Sequence, residues 1–225
     1  MMRRVLQALG LLTLAAVWFG PLPRLASESF SAHMMMHMGV VAVAAPLLVL
    51  GVAGGRLDPV RRVPAPFAPI PASIVELVVV WGWHTPALHH AARHGPIGLV
   101  VEQATFLLSG LFVWLSAFGG DAGQRGERTA AGVVAMLLTS MHMTLLGALL
   151  ALPPRALYEH AGGSSLTPLQ DQHLGGAIML SVGGLAYLLG GLGLVVALLK
   201  RSRGPDAPET SAMGVDWKAR GGGQP

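Results

Sequence analysis

Long apolar runs separated by short polar, proline-rich or glycine-rich punctuation set the plan of this chain. Six stretches approach or exceed the ~20 residues that carry a helix across hydrocarbon. They are Val5–Leu22, Ala32–Leu50, Ile70–Ala92, Pro96–Phe118, Thr129–Leu152 and His173–Leu199. Between them lie Gly20–Ser31, with two prolines, and Gly51–Pro69, rich in proline and arginine. The charged turn Gly119–Arg128 and the loop Pro153–Asp171, with Tyr158, Glu159, His160 and Gly162-Gly163-Ser164-Ser165, complete the set. The pattern predicts an all-α fold, a polytopic transmembrane helix bundle of about six spans occupying residues 1–203. Residues 204–225 are polar and rich in glycine and proline, and read as a disordered cytoplasmic tail.

Composition supports a membrane protein: 52% of the residues are hydrophobic and 12% charged, against about 25% charged in soluble domains. The net charge of +4 is distributed as a topology signal. With six spans and both termini cytoplasmic, Arg3, Arg4, Arg56, Arg61, Arg62, Arg125, Arg128, Lys200, Arg201, Arg203, Lys218 and Arg220 lie inside. Only Arg24, Arg93 and Arg155 lie outside, and the reverse orientation inverts that balance. Basicity of this kind does not imply nucleic-acid binding. Arg3-Arg4 before a short apolar core allows a signal peptide, but Arg24 spoils the cleavage region at Leu25-Ala26-Ser27, so the reading is an uncleaved helix. The chain has no cysteine, which excludes thiolate metal sites and disulfides.

In this orientation the nine histidines fall on the outer side. His33 and His37 are four apart and share a helix face, with Met34 and Met38 as a second such pair beside them. His142 is near the middle of the fifth span, where an ionisable group is expensive and faces the bundle interior. Met141 and Met143 flank it on nearly opposite sides, so at most one can join it. His84 sits in Trp81-Gly82-Trp83-His84-Thr85-Pro86, where proline should kink or loosen the third span. His89, His90 and His94 read as surface groups, at most one or two of which could serve as entry ligands. Glu102 and Asp171 are the carboxylates at the same level. Either could orient an imidazole, and Asp171 could equally serve the start of its own helix. Glu76 lies away from the histidine layer and has no assigned role. Gly176, Gly183 and Gly190 form a small-residue stripe on the last span, beside Gly184 and Gly191, suited to close packing within the bundle or to a partner helix.

Imidazole and thioether are ligands for transition metals, and their pairing leans toward copper. The expected ligand layer is His33, His37, His84, His142 and His173, with Met34, Met38 and Met141 as softer donors and Glu102 and Asp171 behind them. Two imidazoles on different helices, such as His37 with His142 or His84 with His142, would also suit a b-type haem. A proton-coupled transporter could use the same ionisable layer. No nucleotide-binding loop, zinc-protease helix or serine-nucleophile motif is present.

Taken in order, His33-Met-Met-Met-His37 leading into Ala44-Ala45-Pro46-Leu47-Leu48-Val49-Leu50-Gly51, Trp83-His84-Thr85-Pro86, Val101-Glu102-Gln103 before Phe112-Val113-Trp114, and Asp171-Gln172-His173-Leu174-Gly175-Gly176-Ala177-Ile178-Met179 resemble the CtaG family. The resemblance covers about residues 30–200. It implies a non-enzymatic factor in assembly of caa-type cytochrome c oxidase, acting in maturation of its copper centres in the plasma (inner) membrane. The partner would be a copper-centre-bearing oxidase subunit, amid membrane lipids, with homo-oligomers also possible. Two departures stand out: many relatives have histidine where this chain has Gln103, and relatives commonly have seven spans.

Overall fold

The computed structural model describes residues 1–93, 95–120, 125–158 and 166–202, and among them the chain is helical with no strand. The expected tail, His94, Glu159, His160 and the Gly162–Ser165 stretch lie outside the described residues. Among the described residues five helices are long and apolar enough to cross a membrane, with a shorter apolar helix between the second and third of them. The chain is thus an all-α polytopic bundle.

The first span is α1 (Met2–Phe19), followed by a short α2 (Leu22–Glu28). The second, Phe30–Val52, is built from α3 (Phe30–Met38), a π-helical turn (Gly39–Ala44) and α4 (Ala45–Val52). Pro46 explains the turn: its ring collides with the carbonyl four residues back, and a widened turn before it relieves the clash. A four-residue α5 (Pro59–Arg62) closes the next loop. Asp58 holds that loop together by accepting from the N–H groups of Gly54 (2.7 Å), Val60 (2.9 Å) and Gly120 (2.9 Å). Gly54 takes a left-handed conformation there, at φ 69°.

The expected third span, Ile70–Ala92, is not one helix. It is α6 (Pro69–Trp83) and α7 (Pro86–Arg93), broken at His84-Thr85. Pro86 has no N–H to offer the Gly82 carbonyl. The N–H (3.0 Å) and hydroxyl (2.8 Å) of Thr85 bond to that carbonyl instead. The His84 carbonyl is taken by the Tyr158 hydroxyl. The chain loosens where the sequence predicts, and the Gly82 and His84 carbonyls find partners inside the protein.

The remaining spans are α8 (Pro96–Phe118), α9 (Arg125–Ala151), and α10 (Pro168–Ile178) joined to α11 (Gly184–Ser202) through a second π turn, Met179–Gly183. Thr167 and Gln170 form a capping box at the start of α10. The glycine stripe is used within the molecule. A methyl group on Gly183 would meet Met38 and Met143, and one on Gly190 would meet Trp114 and Met136.

Candidate functional site

Two interrupted helical segments and the unbroken α8 converge on one buried polar cluster. His33 and His37, both 0% exposed, project from α3 one turn apart, their rings 6.5 Å apart and nearly parallel. His84 enters from the break after α6, 5.8 Å from the His33 ring and 5.3 Å from that of His37. His89 reaches in from α7 and meets His33 edge-on at 5.0 Å. Phe106 of α8 covers His37 at 3.9 Å. Phe30 stacks on Tyr158 at 4.3 Å, and Tyr158 lies 4.5 Å from His89, closing the end of the cluster.

Hydrogen bonding fixes which nitrogens are free. The Nδ1 of His84 lies 2.6 Å from the Val80 carbonyl. A carbonyl only accepts, so Nδ1 carries the proton and the buried Nε2 presents its lone pair. His33 is arranged the other way. The Arg93 guanidinium only donates, and it bonds to His33 Nδ1, so that lone pair is engaged and Nε2 holds the proton. Arg93 also donates to Glu102 at 3.1 Å, and Glu102 lies 3.7 Å from His33 Nδ1. Ligand atoms of His33, His89 and Glu102 all lie within 4.8 Å of one another. His142, buried on α9, is within electrostatic reach of His37. It also lines a groove of about 730 Å³ between α6 and α9.

The other expected donors are placed elsewhere. His173 is half-buried, and its Nε2 lies 2.8 Å from the Pro153 carbonyl, where it ties the loop to α10. Met141 is 67% exposed, while Met143, two positions on, is fully buried, as the 100° step of the helix requires. Met34 and Met38 are buried against the last span: methyl groups on Gly175 and Gly183 would come within 3.1 Å of Met34 Cγ and Met38 Sδ. Their face is one residue away from that of His33 and His37, so the thioethers point to α10 and the imidazoles to α6–α8. Asp171 does not face an imidazole. It accepts from Ser29 and Ser31 and caps the neighbouring span. Gln103 bonds to Trp18 of α1 and to Glu102.

Two members of the cluster, His89 and Arg93, are not in the expected set, and the surface assignment of His89 is corrected by its 4% exposure. The break at Pro86 turns α7 so that His89, Ala92 and Arg93, at i, i+3 and i+4, share the inward face. His90 stays exposed. That amphipathic spacing was the available signal. A second polar cluster lies around Glu76, fully buried, which accepts from Tyr187, with Ser73 and Thr139 bonded at 3.0 Å nearby.

Tyr158 gives a test of the cluster's closure. Burial pushes its phenol up to about 12, from the ordinary value of 10.0. The folded state thus favours the neutral hydroxyl, and the stability this brings is complete below pH 10 and lost as pH rises toward 12. Wild-type protein is expected to lose helical signal over that window more steeply than Tyr158→Phe. At neutral pH the variant should be less stable by about 1–2 kcal/mol. Superimposable alkaline profiles would contradict the buried donor.

No curated protein and no solved structure matches the chain. Residues 1–201 match the family described as cytochrome c oxidase caa3 assembly factor. With that match covering nearly all of the described bundle, the chain belongs to the Caa3_CtaG family of oxidase assembly factors.

Proposed function

We propose that this chain is a non-enzymatic assembly factor that accepts a copper ion on the histidine cluster and passes it to a copper-centre-bearing subunit of the oxidase. One observation carries the reading. Six buried imidazole nitrogens have no hydrogen-bond partner among the described residues: His33 Nε2, both of His37, His84 Nε2 and both of His142. Leaving such a group bare costs about 1–3 kcal/mol, and a bound ion would offset that cost at the one lone-pair nitrogen that each of His37, His84 and His142 presents. His84 is the best-prepared ligand, because its Nδ1–H is anchored on a backbone carbonyl, the usual support of a metal-bound imidazole. Imidazoles and one carboxylate suit copper, zinc or iron, and a copper-containing client selects among them.

The positive-inside balance of the sequence puts this cluster on the periplasmic or extracellular side of the plasma membrane. Phe106 lies against His37, which favours a bare ion over a macrocycle at that imidazole. The donors expected to carry copper are His37, His84 and His142, with His33 and Glu102 adjoining.

Copper titration of purified protein in detergent tests this. His37→Ala, His84→Ala and His142→Ala are each expected to weaken binding by roughly tenfold or more, with Met141→Ala and His173→Ala unchanged. Equal copper content in wild type, His37→Ala and His142→Ala would refute direct ligation. A strong Soret band in the purified protein would favour haem instead.

A further inference from the structure

A cleft of about 240 Å³ opens between α2 and the junction of α7 with α8, lined by Pro23, Ala26, Ser27, Arg93 and Leu99 among others. Arg93 forms its inner wall. The side chain is 14% exposed, and the Glu102 beyond it is 0% exposed. On its buried side, Arg93 Nη1 donates to Glu102 Oε1 at 3.1 Å and to the His89 carbonyl at 3.4 Å, and Nη2 donates to His33 Nδ1. The guanidinium therefore sits among the same groups, His33, His89 and Glu102, whose ligand atoms converge within 4.8 Å. It engages the lone pair of His33 and the charge of Glu102 that a metal ion would use.

We infer that Arg93 is a built-in stand-in for the metal, and that the cleft is the route by which a monovalent copper ion reaches it. The inference rests on the copper reading of the cluster and deepens it. A buried ionised carboxylate without a countercharge is costly, so Glu102 stays ionised only with a cation beside it. Before loading that cation is Arg93. During loading Cu(I) enters by way of the His33 lone pair, with the Glu102 carboxylate beside it as countercharge, and the guanidinium swings into the cleft, where water solvates it. One positive charge replaces another, and the buried charge stays constant. No bond is oxidised or reduced. The ion has to displace a charge-assisted pair to bind, which weakens retention and allows the guanidinium to return as the ion leaves. Reciprocal displacement of this kind suits a protein that hands its metal on.

The experiment is a Cu(I) titration of the full-length protein in detergent against a chromophoric Cu(I) chelator. Removing the competitor should tighten binding. Arg93→Ala is expected to hold Cu(I) more tightly than wild type by roughly tenfold. Arg93→Gln, a shorter and uncharged side chain that vacates the position of the guanidinium, should show the same gain, so the result does not depend on one variant folding. Adding Glu102→Gln to Arg93→Gln should abolish the gain. Ser27→Trp, which fills the cleft, should slow loading and leave the equilibrium affinity unchanged. Copper on wild type with equal or weaker binding in both Arg93 variants overturns the stand-in role and leaves the copper reading intact. Unchanged loading in Ser27→Trp overturns the route. Absence of copper from wild type and both Arg93 variants overturns the copper reading and this inference together.

Discussion

Asp171→Ala is expected to destabilise the protein by on the order of 3 kcal/mol, read as a large drop in the thermal midpoint by circular dichroism in detergent. The carboxylate is 3% exposed and serves four donors on another helix. Its Oδ1 accepts from Ser29 Oγ at 2.9 Å, Ser31 N–H at 3.1 Å and Ser31 Oγ at 2.5 Å, and Oδ2 accepts from Phe30 N–H at 2.5 Å. These are the first N–H groups of the second span, which have no partner within their own helix. The two hydroxyls can rotate to other acceptors after the substitution, but the two backbone donors cannot. Asp171→Asn keeps one carbonyl oxygen and turns an amide donor toward a second N–H, so an intermediate loss is expected. His33 lies in the turn that Asp171 secures, so the copper binding proposed for the cluster should weaken together with the melting temperature. A variant that melts with wild type would mean that the carboxylate does not hold the two spans together.

The second large effect is a contrast between two glycines of the last span. A methyl group on Gly176 would lie 2.5 Å from Ala151 N, 2.7 Å from Gly147 O and 2.8 Å from Leu150 C, all backbone atoms of α9. No side chain can yield there, so Gly176→Ala must push α10 away from α9. A loss of about 3 kcal/mol or more follows from overpacking. A methyl group on Gly193, further along the same span, would meet nothing within 4 Å. There the same substitution removes only the helix penalty of glycine, and Gly193→Ala should be stabilising by up to about 1 kcal/mol. Unfolding curves of the two variants are expected to move in opposite directions. If both shift alike, close backbone approach is not what holds α9 and α10 together.

The parts of this architecture that depend on local rules were legible in the sequence. Apolar runs placed five of the six expected spans to within about five residues, while the third proved to be two helices; the i, i+4 spacing put His33 and His37 on one face, and Pro86 marked the break beside His84. The site proper needed information that spacing within one helix does not hold. His89 and Arg93 enter the cluster because the chain turns after Thr85, and the direction of a turn is set by what α7 packs against. Asp171 sits near His173 in sequence, yet its carboxylate serves Ser29, Phe30 and Ser31, more than a hundred residues away. The methionines misled in a simpler way. One residue of helix is 100°, enough to send Met34 and Met38 to the last span while their histidine neighbours face α6–α8.

The brevity of α6 carries a consequence for the surrounding lipid. Its 15 residues rise about 22 Å, against roughly 30 Å for a typical hydrocarbon core. A bilayer meeting this side of the bundle would meet the shortfall by thinning, or flanking side chains would reach out to the interface, and the helix stops at His84. Membrane thickness therefore becomes a variable of the protein's performance. Long-chain lipids would press acyl tails against the broken segment and compress it, and short-chain lipids would match it and leave the polar end wet.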